Sequence, residues 1–158
     1  MDCPVIAADI DGDGNLEILY MVIRNGIGYV RAINSNNSLV SGWNGDTHFI
    51  PLSNTSIDWA WPPYFCVADI DNDGSIEIFV ADGGVLKMWN SDGTTFGTGE
   101  IQIPNLDCQY FQPIIADVDG NGDCEIVIPS QNGYIYAYKP NGDAVPGWPL
   151  AVVDLATI

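Results

Sequence analysis

Positively charged side chains are scarce in this sequence. Lysine and arginine together number four among 158 residues, against 21 aspartates and glutamates, so the formal net charge is −17. Nucleic acids and anionic membranes are bound through clustered cations that replace their counterions. The charge balance therefore predicts that neither is a partner.

Long apolar runs and helical periodicity are also missing. No window of about 18 residues is continuously apolar, as a membrane span requires, and residues 1–4 lack the basic start of a secretory signal. We expect no membrane insertion, and any export signal must lie outside this sequence. Because 47% of the residues are hydrophobic, one domain with a packed core is expected. No segment repeats apolar residues every 3.6 positions or so, which predicts little helix.

Groups for nucleophilic or thiol chemistry are few. His48 is the only histidine, and no nucleophile pattern lies near it, so we expect an exposed turn residue and assign no catalytic residue. The four cysteines lack zinc-ligand spacing. Cys66 and Cys124 stand where other copies of the repeat described below have apolar residues, which predicts small core hydrophobes. Cys3 and Cys108 have no evident partner.

The acidic residues are concentrated in three copies of one segment. The copies run from Pro4 to Ile18, from Tyr64 to Ile78 and from Gln112 to Ile126, at offsets of 60 and then 48 residues. Each copy leads into a β-rich run, a glycine turn and a run with the two-residue alternation of a strand. A polar turn then leads to a less regular fourth run. That run is marked by Gly42-Trp43, Phe96-Gly97 or Gly147-Trp148.

Each copy is therefore predicted to be a meander of four short antiparallel strands, and such units in series indicate β-propeller blades. The predicted fold is all-β, with about three blades in one domain over residues 1–158. The blades are expected at about 2–52, 60–104 and 110–150. Residues 151–158 are expected to start a further strand. Three blades leave the ring to be completed by missing blades or by another copy, and a sandwich of about twelve strands is the alternative fold.

The repeated acidic loop has the pattern D-x-D-x-[DN]-G-x-x-E. Carboxylates two residues apart repel one another unless a cation neutralises them, and oxygen-rich ligand sets suit Ca2+, which takes about six to eight oxygens. We expect side chains at positions one, three, five and nine and a backbone carbonyl at position seven to be the ligands. These are Asp9, Asp11, Asp13, Asn15 and Glu17; Asp69, Asp71, Asp73, Ser75 and Glu77; and Asp117, Asp119, Asn121, Asp123 and Glu125.

Other metals and other loops fit the pattern less well. Position five of the third loop is Asn121, so this loop has one charge fewer and should bind most weakly. An EF-hand needs glutamate at position twelve, which here is Tyr20, Val80 or Ile128. Mg2+ prefers a smaller octahedral shell, and softer metals call for histidine or thiolate. About three Ca2+ ions are therefore predicted.

Through these loops, and through Val-Pro-Gly-Trp-Pro from Val145, the sequence resembles the FG-GAP or VCBS repeat β-propellers. That family is related to the integrin α-subunit head and is common in bacterial surface and secreted proteins. The resemblance spans nearly the whole chain. It implies a Ca2+ ion in each loop between the first and second strands, and an extracellular role in adhesion or ligand binding.

Aromatic residues precede the first strands of the second and third repeats. They are Trp59, Trp61, Tyr64, Tyr110 and Phe111, and they should lie at the opposite end of the blades from the acidic loops. Exposed aromatics on a rigid rim suit a carbohydrate or peptide ligand, whereas the alternative is that they seal the core between blades.

The whole pattern predicts a secreted or cell-surface calcium-binding module that is not an enzyme and that binds a protein or carbohydrate ligand. One alternative is a non-catalytic or partial domain of a secreted enzyme, such as a polysaccharide lyase or a peptidase. The other is a self-assembling structural unit, which would be a homo-oligomer.

Overall fold

The computed structural model describes residues 5–24, 27–40, 64–103 and 111–152. Within these ranges the chain forms eleven strands and no helix, and hence no helix that is long and apolar enough to cross a membrane. The strands are β1 (Val5–Ala8), β2 (Glu17–Arg24), β3 (Ile27–Ile33), β4 (Phe65–Ala68), β5 (Glu77–Asp82), β6 (Val85–Asn90), β7 (Thr95–Gln102), β8 (Ile114–Ala116), β9 (Glu125–Pro129), β10 (Tyr134–Tyr138) and β11 (Leu150–Ala151).

The strands pair in chain order into three antiparallel sheets. Sheet 1 is β1-β2-β3, sheet 2 is β4-β5-β6-β7 and sheet 3 is β8-β9-β10-β11. Glu17, Glu77 and Glu125 begin β2, β5 and β9, and each pairs with the alanine that ends the preceding strand. Every sheet therefore has the same register at its acidic loop. The all-β prediction with three blade-like units is confirmed, and the described ranges form no closed ring.

Sheet 2 lies between sheets 1 and 3, and the burial of its residues agrees with this position. All six residues of β5 are buried, whereas β2 alternates between buried and half-buried positions over residues 17–22. A strand that is covered on both faces is apolar throughout, and a strand covered on one face alternates. The run Ile-Phe-Val-Ala in β5 is the sequence counterpart of that burial.

Two apolar clusters join the sheets. The first packs one face of sheet 1 on sheet 2 and includes Leu19, Val30, Ala32, Phe65, Ile78 and Val80. The second packs the other face of sheet 2 on sheet 3 and includes Phe79, Leu86, Met88, Ile126, Ile128 and Tyr136. Successive sheets thus pack face to face, as the blades of a propeller do.

The described cysteines occupy this core. Cys66 is buried in the second cluster, and Cys124 packs against the same cluster, so the prediction of small core hydrophobes is confirmed for both. Both are free thiols, and burial raises the pKa of Cys66 to about 12. Cys3 and Cys108 lie outside the described residues.

The outer strands differ among the sheets. The Phe96-Gly97 run lies in β7, the predicted fourth strand, while residues 42–43 lie outside the described residues. In sheet 3 the Val145 N–H donates to Ala137 and the Trp148 N–H donates to Val145, and this turn returns the chain to the edge of β10. Residue 151, expected to start a further strand, therefore pairs within sheet 3 as part of β11. The predicted blade boundaries stay a prediction.

Candidate metal centres

Three acidic loops connect the first and second strands of the sheets. Loop 1 comprises residues 9–16, loop 2 residues 69–76 and loop 3 residues 117–124, and each is followed by the glutamate that begins the next strand. Positions three to seven of each loop are exposed. The acidic side chains are therefore held at one end of every sheet, within reach of solvent.

A glycine at position six turns each loop back on itself. Gly14, Gly74 and Gly122 have φ values of 88°, 91° and 97°, which residues other than glycine rarely adopt. Position four also has positive φ in every loop, and there loop 2 uses Asn72 at 58°. Asparagine is among the few residues with a side chain that tolerate this conformation. The predicted role of the glycine in reversing the backbone is confirmed.

The first aspartate of each loop is fixed by that reversal. Asp9 Oδ2 accepts a hydrogen bond of 3.0 Å from the Gly14 N–H. The equivalent bonds to the first aspartates of loops 2 and 3 have the same length. The other oxygen, Oδ1, accepts a hydrogen bond from the Asp73 N–H in Asp69 and from the Gly120 and Asn121 N–H groups in Asp117. Asp9 Oδ1 is buried and has no hydrogen-bond partner among the described residues.

The side chains at positions three and five each accept a hydrogen bond from the backbone two residues further on. In loop 1 these bonds run from the Asp13 N–H to Asp11 Oδ1 at 3.3 Å and from the Asn15 N–H to Asp13 Oδ1 at 2.8 Å. Asn121 of loop 3 accepts the same bond from the Asp123 N–H at 2.7 Å. The exchange of aspartate for asparagine at position five thus preserves the loop geometry and removes only a charge.

The glutamate at position nine is the buried ligand candidate of each loop. Glu17, Glu77 and Glu125 are at most 1% exposed. In each, Oε2 accepts a hydrogen bond of 3.0 Å from the N–H of loop position two. Glu125 Oε1 is buried without a hydrogen-bond partner among the described residues. A buried carboxylate oxygen without a hydrogen-bond partner lowers the stability of the fold unless a cation or a proton binds to it.

The loops bring carboxylate oxygens together in three groups. In each group one oxygen from every member lies within 4.8 Å of the others, and the members are Asp9, Asp11 and Asp13; Asp69, Asp71 and Glu77; and Asp117, Asp119 and Glu125. Oxygen donors at such spacing fit a hard cation, and the first and third groups also contain a buried oxygen without a hydrogen-bond partner among the described residues. The acidic clusters can therefore bind a metal ion. The predicted ligands outside these three groups are the side chains of Glu17, Asp73 and Asn121 and the carbonyls of Asn15, Ser75 and Asp123, and their assignment stays a prediction.

Burial, and to a smaller extent nearby negative charge, raises the pKa of two of the buried glutamates. Burial is the main cause that raises the pKa of Glu77 from 4.5 to about 7; the three loop aspartates contribute to this rise, and the hydrogen bond from the Ile70 N–H opposes it. Burial likewise raises the pKa of Glu17, with the same two secondary effects. Glu17 and Glu77 therefore favour a positive partner, either a proton or a metal ion.

Clefts between neighbouring loops were not foreseen from the sequence. One of about 330 Å³ lies between loops 2 and 3 and is lined by Asp71, Asp123, Lys139 and Asn141 among others. A smaller one of about 100 Å³ lies between loops 1 and 2. Their linings come from two sheets at once, so only the stacking of the sheets reveals them. No motif of consecutive residues marks such a cleft.

The predicted aromatic rim is described only in part. Tyr64 and Phe111 are half-buried, and Trp59, Trp61 and Tyr110 lie outside the described residues, as does His48. Tyr134, which is 41% exposed at the start of β10, lies at the same end of sheet 3 as Phe111. Tyr134 could have been found from the sequence as an aromatic residue at the first position of a predicted third strand.

Comparison with protein families matches the model of the FG-GAP-like repeat to residues 69–128. The matched segment begins at the first aspartate of loop 2 and ends in β9, so it contains loop 2, strands β5 to β8 and loop 3. The resemblance to FG-GAP repeats is confirmed over this segment, and such a repeat suggests a β-propeller-type module. No curated protein matches the chain.

The raised pKa of Glu77 predicts a pH-dependent stability of the metal-free protein. The folded chain holds this proton more tightly than the unfolded chain, so the free energy of unfolding falls as the pH rises from 4.5 to about 7. Glu77→Gln removes the ionisable group and therefore the part of the pH-dependent decrease in the free energy of unfolding that Glu77 causes. In urea denaturation with excess chelator, the variant should gain stability relative to the wild type over this range. A difference independent of pH would contradict the prediction.

Proposed function

We propose that this chain is a calcium-binding module of the β-propeller type, with one Ca2+ ion in each of loops 1, 2 and 3. The observation that carries the proposal is the unpartnered Oε1 of the buried Glu125, which lies in a group of three carboxylates. The FG-GAP-like repeat over residues 69–128 supports it, because repeats of this kind often bind Ca2+.

The donor set favours Ca2+ over other cations. Each group consists of carboxylate oxygens, and the amide and backbone oxygens of the same loop are available as further ligands. Among the described residues, no lysine or arginine forms an ion pair with a loop carboxylate. Three divalent ions would reduce the formal net charge from −17 to −11. The ions would therefore supply the positive charge that the chain itself lacks.

The proposed role of the metal is structural. Position one follows the first strand and position nine begins the second, so an ion held by both fixes the connection between the two strands. Bound Ca2+ neutralises the carboxylates, and the chain positions them through the N–H groups of loop positions two and six. Chemistry on a substrate is not part of this proposal, because FG-GAP repeat domains are generally non-catalytic.

The proposed biological role is binding or adhesion outside the cell, as a secreted or cell-surface module with a protein or carbohydrate ligand. Loops of this kind are exposed at one end of the sheets, so they exchange ions with the surrounding medium. Extracellular modules use Ca2+ sites with dissociation constants of about 10⁻⁴ to 10⁻³ M, which exposed loops of limited rigidity can supply.

Calcium titration tests the metal proposal. Isothermal calorimetry of chelator-treated protein should show about three sites, and a site at a hundredfold excess over its dissociation constant should add about 2.7 kcal/mol to stability. The melting temperature should rise with Ca2+ and return after addition of chelator. Mg2+ at equal concentration is the control and should have the smaller effect. A melting temperature that is the same with Ca2+ and with chelator would refute the proposal.

Exchanging the residues at position five tests the ligand assignment. Asn121→Asp adds a charged ligand to loop 3, and Asp73→Asn removes one from loop 2, while both residues make the same local hydrogen bond. We expect about a tenfold gain in affinity at loop 3 and about a tenfold loss at loop 2, because ligand charge tunes Ca2+ affinity. Unchanged affinities in both variants would show that position five is not a ligand.

Binding to glycan and protein arrays tests the role of the aromatic rim. Trp59→Ala and Trp61→Ala should each abolish a signal that the wild type gives in Ca2+, because stacked aromatic rings contribute much of such an interface. Leu39→Ala, at an exposed leucine outside the acidic loops and outside the predicted rim, is the matched control. Retention of the signal in both tryptophan variants would assign these residues to the core.

A further inference from the structure

The same interface between sheets occurs twice in this chain. Leu19 of sheet 1 is fully buried against sheet 2, and Phe79, its equivalent 60 residues on, is fully buried against sheet 3. The next equivalent, Val127, lies on the face of sheet 3 that points away from sheet 2. In sheets 1 and 2 this face packs on the next sheet along the chain. In sheet 3 the equivalent face points outward.

This outer face of sheet 3 is apolar and partly uncovered. It carries Ile114, Val118, Val127, Ile135, Ala137 and Val145. Ile114 pairs with Val127 across β8 and β9, which places both on one face. Ile114 is 55% exposed, whereas Cys66, its equivalent in sheet 2, is 8% exposed because sheet 3 covers it. The comparison gives the burial that Ile114 would reach under a further sheet.

The opposite face of sheet 1 is the complementary half. Val5 is 61% exposed, whereas Phe65, the equivalent residue of sheet 2, is fully buried against sheet 1. Leu16 is also exposed, although its equivalents Ile76 and Cys124 pack against the preceding sheet. Tyr20, on the same face as Val5, is half-buried.

We propose that a second copy of this chain packs the outer face of its sheet 1 on the outer face of sheet 3 of the first, head to tail. The contact would continue the sheet stacking already present twice in each molecule, with residues at equivalent positions. One chain carries both halves, so the association is heterologous, and two copies joined at both ends would make a ring of six sheets. Propellers have about four to eight blades, a range that includes six.

The charge of the chain opposes this association, which sets the conditions for observing it. At −17 per copy, repulsion between acidic loops is strong at low salt and is screened by added salt. The contact faces themselves are mostly apolar, with Arg31 beside Tyr20 on the outer face of sheet 1. Association should therefore strengthen with salt and with Ca2+.

Sedimentation velocity on two charged variants tests the proposal. The wild type, in Ca2+ and high salt, should sediment faster as its concentration rises over about a hundredfold range. Ile114→Lys and Val5→Lys each place a charge on one contact face, and each should weaken association by at least about tenfold. Both side chains are exposed in the single chain, so folding should survive, and circular dichroism checks this. Gln131→Lys, at an exposed turn, is the control.

Mixing the two variants distinguishes head-to-tail contact from other modes. The Ile114→Lys chain keeps an intact sheet 1 face, and the Val5→Lys chain keeps an intact sheet 3 face, so an equimolar mixture should form a dimer that neither variant forms alone. Contact between two sheet 3 faces would instead be lost only in Ile114→Lys, and that result would overturn the proposal. A wild type that stays monomeric at every concentration would overturn it as well.

Discussion

The buried glutamate at the end of each acidic loop is the constraint on which the rest of the site depends. Glu17, Glu77 and Glu125 are shielded from water because each begins the second strand of a sheet. One backbone N–H donates to Oε2 in each of the three, and the other oxygen of Glu125 is buried with no hydrogen-bond partner among the described residues. The aspartates at positions one and three bring more negative charge to the same place. A bound cation would neutralise this concentration of negative charge.

The position of the glutamate also couples the loop to the sheet. Each pairs with the alanine that ends the first strand, so a shift in register would move the carboxylate out of its loop. Loop geometry and strand pairing are therefore parts of one unit, which explains why the pattern recurs together with the surrounding strands.

The loops and the strand order were predictable from the sequence because both are local. Gly14 and its equivalents, and the aspartates at alternating positions, act within nine residues. The pairing of Leu150 and Ala151 with β10 was not foreseen, since the choice between two strand edges depends on tertiary pairing. The cleft beside Lys139 could not be predicted from the sequence either, because its lining residues come from different sheets.

The distribution of charge and apolar surface links ion binding to the stacking of sheets. The faces that join successive sheets are apolar, whereas the carboxylates lie at one end, where loops of adjacent sheets flank shared clefts. Bringing two sheets together therefore gains burial along the faces and adds repulsion between the loops. Neutralising the loops removes the repulsion and leaves the burial unchanged. The same balance holds for any further sheet that covers Ile114, whichever chain provides it.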